Sequence, residues 1–108
     1  MAQGTDTKII MSTINKYLNL LRESHISFEQ VYLYGSYAKV NQQEDSDIDL
    51  AIIAKEWVPD VFDAQFELMR LGRRVDTRIE PHPLKKSEFD KTNPYVREIL
   101  TTGKEIKV

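Results

Sequence analysis

Tyr34-Gly35-Ser36-Tyr37-Ala38-Lys39, with ten residues between the Gly-Ser pair and Asp47-Ile48-Asp49-Leu50-Ala51-Ile52-Ile53-Ala54, decides the reading of this 108-residue chain. Gln30 to Tyr34 is a short β-rich run stopped by Gly35. Asp47 to Ala54 reads as a second strand, apolar on both faces after its first residues, which predicts a central place in a sheet. In such a strand Asp47 and Asp49 project from one face, roughly 6.5 Å apart at the backbone, while Ile48 and Leu50 turn into the core. Two carboxylates that close repel one another and lose solvation as they are brought together. A divalent cation offsets both costs, and hard oxygen ligands favour Mg²⁺ or Mn²⁺. Gly35, with no side chain, lets a phosphate approach the backbone. Ser36 is suited to cap a short following helix whose free amides bind triphosphate oxygens. Lys39, about one turn on, adds a positive charge.

Four other readings of the same stretch compete. A lone Asp-x-Asp is most often a polar strand entrance. Asp45, Asp47 and Asp49 alternate like the start of a Ca²⁺ loop, with Glu56 at the twelfth position, but that loop needs Gly at its sixth position and this chain has Leu50. A P-loop at Gly35-Ser36 lacks the Gly-Lys-Ser/Thr pattern. An isolated Gly-Ser is an ordinary strand-to-helix turn. The combination of Gly-Ser, a ten-residue spacer and Asp-x-Asp at the head of an apolar strand is far more specific.

Working outward, residues 7–23 carry Ile10, Ile14, Tyr17, Leu18 and Leu21 at the spacing of an amphipathic helix, with Thr5 or Asp6 as a cap. Residues 60–72 form a second helix capped by Asp60, with Val61, Phe62, Phe66, Met69 and Leu71 along one side. Val75 to Glu80 is a third strand closed by Pro81 and Pro83. A last helix opens at Asn93-Pro94, buries Tyr95, Val96, Ile99 and Leu100, and ends near Gly103. The expected fold class is α/β (α+β): one domain over residues 1–108, a small mixed sheet with helices packed on one face and chemistry on the other.

Composition narrows the function classes. A 41% hydrophobic and 30% charged chain is an ordinary globular protein. No apolar run approaches membrane-spanning length, and no signal peptide is visible. The absence of cysteine removes disulfide and thiolate chemistry and makes a cytoplasmic location the expectation. A net charge of −2 and a pI near 5.7 argue against a grip on long nucleic acid, which needs a basic excess.

The pattern of Gly35, Ser36, Asp47 and Asp49 resembles the signature of the minimal nucleotidyltransferases (MNT domains) of the DNA polymerase β superfamily, over nearly the whole chain. The resemblance implies a nucleotidyltransferase fold, two Mg²⁺ ions, and transfer of a nucleoside monophosphate from a nucleoside triphosphate, ATP being the implied donor. It also implies a third carboxylate on a neighbouring strand. Asp76, in a Val-Asp pair common in the family, is the first choice, with the added role of accepting the acceptor's proton; Glu80 is the reserve. Asp47, Asp49 and Asp76 are thus the expected catalytic and metal-binding residues, and Gly35, Ser36 and Lys39 the nucleotide-binding ones. His82, between two prolines, reads as structural. Lys39 and Val40 stand where many family proteins have Arg and Gly; lysine keeps the charge but lacks the bidentate fork. The resemblance extends to MNT proteins that act as antitoxins to HEPN-domain ribonucleases, which implies AMP transfer to a partner tyrosine. Rival readings are a module that neutralises its partner by contact alone and a small-molecule nucleotidyltransferase. Acceptor, nucleotide preference and self-association stay open.

Overall fold

The computed structural model describes residues 2–35 and 47–108. Along the chain lie α1 (Ala2–Glu23), β1 (Gln30–Tyr34), β2 (Ile48–Ala54), α2 (Val61–Val75) and β3 (Ile79–Lys85). A 3-10 turn at Lys86–Glu88 leads to α3 (Pro94–Thr102) and β4 (Lys104–Ile106). The strands form one sheet in the order β3-β2-β1-β4. β1 is antiparallel to β2 and to β4, and β2 is parallel to β3, so the sheet is mixed and the fold is α/β, as expected. Ser36, Lys39 and the short helix expected between them lie outside the described residues, as does Asp45.

The apolar run of β2 puts it at the centre, buried on both faces apart from Asp49. One face carries Ile48, Leu50, Ile52 and Ala54 against Ile14, Tyr17, Leu18 and Leu21 of α1 and Ala64, Leu68 and Leu71 of α2. The buried Tyr17 hydroxyl donates to Leu68 O at 2.8 Å, which ties the two helices together. The opposite face carries Ala51 and Ile53 against Ile99 of α3, with Tyr32, Tyr34, Leu84 and Phe89 around them. Two helices therefore cover one face, while α3 lies on the other, where no helix was expected. A small third helix there covers Ala51 and Ile53 and leaves the polar end of β2 outside that cluster. Among the described residues no helix is long and apolar enough to cross a membrane.

Helix α2 begins where the sequence indicates. Asp60 is in extended conformation and its carboxylate accepts from Asp63 N at 2.9 Å, a standard N-cap. Asp60→Ala is expected to lower stability by about 1 kcal/mol. The check is a lower urea midpoint with an unchanged slope, since a surface cap leaves the area exposed on unfolding unaltered. The buried stripe of α2 is Ala64, Leu68, Leu71 and Gly72, at the i, i+4, i+7, i+8 spacing of one helix face. Phe62 and Phe66 lie on the opposite side and are 86% and 72% exposed, which corrects the sequence reading of the packed side. Trp57, by contrast, is buried and donates from Nε1 to Leu84 O at 2.9 Å.

The largest displacement from expectation is β3. Helix α2 continues to Val75 and is closed by Asp76, so the third strand starts at Ile79 and runs through Pro81 and Pro83 to Lys85. Ile48 N donates to Arg78 O at 2.7 Å, which turns the backbone of the even-numbered residues of β3 toward β2. The carbonyl of Pro81 points the other way, where Gln65 Nε2 donates to it at 2.7 Å. Both prolines thus put their missing N–H on the outer side of an edge strand, where the ladder needs no donor. At the far end, Asn93 caps α3 by accepting from Tyr95 N at 2.9 Å, with Pro94 in the first turn, as the sequence indicates. Helix α1 begins at Ala2, ahead of the proposed caps Thr5 and Asp6, which lie within it.

Candidate nucleotidyl-transfer site

Sheet register builds the site. Tyr34 at the end of β1 pairs with Asp49 on β2, and Asp49 pairs with Glu80 on β3. Directly paired residues project from the same face, so these three side chains form a row across three strands. Asp47, exposed, lies two residues before Asp49 at the entrance of β2. One step along β3, His82 sits on that same face, its Nε2 3.8 Å from Asp49 Oδ1. The row lies on the side of the sheet away from α1 and α2.

Gly35 closes the site at the end of β1. Its φ of +74° is a left-handed conformation that side chains resist. A Cβ built there would land on Asp49 Oδ2. The glycine is therefore needed twice: once for the turn, and once because its backbone lies against the central carboxylate.

The electrostatics mark Asp49 as the focus. Partial burial holds its carboxyl above the ordinary aspartate range; His82 opposes that shift, and the negative charges of Asp47 and Glu80 reinforce it. A half-buried carboxylate with two acidic neighbours, opposed among the described residues by a histidine, is under strain that a cation relieves. The donor set of Asp47, Asp49 and Glu80 is all hard oxygen, which fits Mg²⁺ or Mn²⁺. Among the described residues, no group of three metal-ligating side chains is gathered closely enough to hold an ion.

Asp76 lies elsewhere. It closes α2, donating its backbone N–H to Gly72 O at 2.9 Å. Its Oδ1 accepts from Arg78 N at 2.9 Å and Arg78 Nε at 3.0 Å, and its Oδ2 accepts from Arg78 Nη2 at 2.8 Å. This pairing, mainly the side-chain hydrogen bond from Arg78, holds the Asp76 carboxyl below the ordinary range. A depressed folded-state pKa contributes stability above the unfolded value that is lost as the pH falls through the folded one. Asp76→Asn is accordingly expected to destabilise the protein at neutral pH, with the difference from wild type shrinking once the pH drops below about 4. Urea unfolding of both proteins at pH 7 and pH 3 checks this.

Two aromatic groups at the site were not singled out as functional in the sequence. Tyr34 stacks obliquely near His82, with ring centroids 5.9 Å apart, and meets Tyr95 of α3 edge-on at 6.0 Å. The Tyr34 and Tyr95 hydroxyls are hydrogen-bonded to each other. Tyr95 was expected in the core but is 41% exposed. The signal for His82 is the period of two from Glu80, visible once β3 is known to pass through the prolines; nothing local in the sequence brings Tyr95 to Tyr34.

The family profile described as polymerase beta, nucleotidyltransferase matches residues 13–107. This chain belongs to the polymerase beta nucleotidyltransferase family. The resemblance drawn from Gly35, Ser36, Asp47 and Asp49 is borne out at the level of the family. One relative within it is the protein adenylyltransferase MntA of Shewanella oneidensis, 28% identical over 93 residues, or 85% of this chain and 63% of MntA. The chain thus spans less than two thirds of that relative's length. A mutant of the toxin–antitoxin MntA–HpeT superposes with a TM-score of 0.61 at 26% identity, covering 84% of this chain and 69% of the other. A toxin–antitoxin structure with AMP-PNP gives a TM-score of 0.63 at 28% identity, with coverage of 84% and 69%. As a polymerase beta nucleotidyltransferase, the chain carries a fold whose members generally work with divalent metal.

Proposed function

We propose that this protein transfers AMP from ATP to an acceptor hydroxyl in the cytoplasm, acting as the antitoxin toward a HEPN-type partner whose tyrosine receives the nucleotide. The observation that carries the reading is the row of Asp49 and Glu80, flanked by Asp47 and pressed against a glycine whose side chain would overlap Asp49. Support for AMP and for a partner chain comes from the adenylyltransferase MntA and from the toxin–antitoxin structures, one of them with AMP-PNP.

Asp47 and Asp49 would hold two Mg²⁺ ions, with Glu80 as the third carboxylate in place of Asp76, whose oxygens are taken up by Arg78. When bound, such ions neutralise phosphate charge and make an acceptor hydroxyl more acidic. The chain's own contribution is positional. The sheet register fixes Asp49 and Glu80 side by side, and Gly35 leaves the backbone open to a phosphate. Ser36 and Lys39 are proposed to contact the triphosphate. Glu80, at the edge of the row, is placed to accept the acceptor's proton.

The test is to incubate the protein with ATP labelled at the α-phosphate, Mg²⁺ and the protein encoded beside it. The expected result is label on a hydroxyl side chain of that partner, together with loss of the partner's toxicity. A partner that is silenced without acquiring label would contradict transfer and favour neutralisation by contact.

A further inference from the structure

Helix α3 brings an aromatic side chain to the site from outside the Gly-Ser and Asp-x-Asp motif. Asn93 caps the helix and Pro94 starts it, so Tyr95 sits in its first turn; Val96 and Ile99 are buried and hold the helix to the sheet. From there Tyr95 reaches over to Tyr34, the residue that pairs with Asp49, and the two hydroxyls share a hydrogen bond. The ring of Tyr34 stands edge-on to Tyr95 and oblique to His82, which itself faces Asp49. The result is an aromatic wall beside the carboxylate row, and Tyr95 remains 41% exposed although its neighbours in the helix core are buried. Of the two phenolic protons, one lies between the oxygens, and the other is available to a third group.

We infer that Tyr95, backed by Tyr34, is the surface against which the nucleoside of the donor nucleotide packs, and that it gives the site its preference for a nucleoside triphosphate over bare phosphate chains. The inference rests on the reading above, in which the carboxylate row and the Gly35 turn hold the triphosphate. A nucleoside follows its phosphates at short covalent reach, so the aromatic wall next to that turn is where it arrives. Every base has a π-face, and an exposed tyrosine ring offers it a flat partner. The spare phenolic proton matches the acceptor oxygens and nitrogens of sugar and base. Tyr95 would therefore act on binding and specificity and would leave the transferring phosphate to the carboxylates.

The test measures equilibrium binding, without acceptor and with Mg²⁺, of an ATP analogue that has a non-cleavable α,β-bridge and of inorganic tripolyphosphate. Wild type, Tyr95→Phe and Tyr95→Leu are compared, and thermal unfolding confirms that each is folded. Wild type is expected to bind the analogue about tenfold or more tighter than tripolyphosphate, the scale of one base–aromatic stack. Tyr95→Leu should remove that advantage while tripolyphosphate binding changes less than about twofold, and Tyr95→Phe, which keeps the ring, should retain most of it. Unchanged analogue binding in Tyr95→Leu overturns the inference. Equal weakening of both ligands also overturns it, because it means that Tyr95 merely pins α3 to β1. If wild type binds neither ligand, the triphosphate site itself is wrong and the inference falls with it; binding of tripolyphosphate as tightly as the nucleotide analogue sinks only the inference.

Discussion

Asp49→Asn is expected to reduce nucleotidyl transfer by roughly 10³-fold, equivalent to ~4 kcal/mol of lost transition-state stabilisation, without unfolding the protein. The residue sits at the centre of the row, paired with Tyr34 on one side and Glu80 on the other. Asparagine keeps its shape but has no charge with which to hold a hard divalent cation. The stability change should run in the opposite direction. Burial and the acidic neighbours Asp47 and Glu80 raise the Asp49 carboxyl above its usual range, so its ionised form is disfavoured in the metal-free fold. Removing that charge relieves the cost, and the metal-free variant should be at least as stable as wild type in urea at pH 7. Loss of activity together with undiminished stability separates a residue kept for chemistry from one kept for folding. A variant that labels its acceptor as fast as wild type would contradict this.

The second large effect concerns which acid completes the row. Glu80→Gln is expected to cost on the order of 10²-fold or more in transfer, whereas Asp76→Asn should leave the rate within about threefold of wild type. Glu80 is in register with Asp49 across the parallel pair, and its charge acts on Asp49. Asp76 caps the end of α2, ahead of the start of β3, and both its oxygens accept from Arg78. The two substitutions therefore fall on different quantities, Glu80→Gln on rate and Asp76→Asn on acid-sensitive stability. Rates from labelled ATP under saturating Mg²⁺ decide the point; the reverse ranking would restore Asp76 to the site.

Much of this arrangement was legible in the chain itself. The apolar continuity of Leu50 to Ala54 identifies a central strand, and the period of two puts Asp47 and Asp49 on one face because Ile48 and Leu50 must go into the core. Gly35 marks the end of β1 because no other residue tolerates its φ without cost. The caps Asp60 and Asn93 announce α2 and α3 through local hydrogen bonds, which is why both starts were correct.

What local patterns could not supply was the position of β3. Pro81 and Pro83 normally end a strand, and only the sheet order reveals an outer edge on which their missing N–H groups cost nothing. That shift of a few residues leaves Asp76 as the cap of α2, puts Glu80 in register with Asp49 and brings His82 beside Asp49. The exposure of Phe62 and Phe66 escaped for a related reason: the smaller Ala64 and Gly72 let α2 approach the sheet on the other side of the helix. The meeting of Tyr34 and Tyr95, 61 residues apart, depends on α3 crossing the open face and has no sequence signal.

The account rests on divalent ions held by Asp47, Asp49 and Glu80. Anomalous diffraction from Mn²⁺ in crystals grown with a non-cleavable ATP analogue addresses it directly. The expected map places manganese about 2–2.5 Å from carboxylate oxygens of all three residues, with the Asp76–Arg78 pair intact. Manganese bound through Asp76, or absent from the Asp49 row while the nucleotide is present, would contradict it.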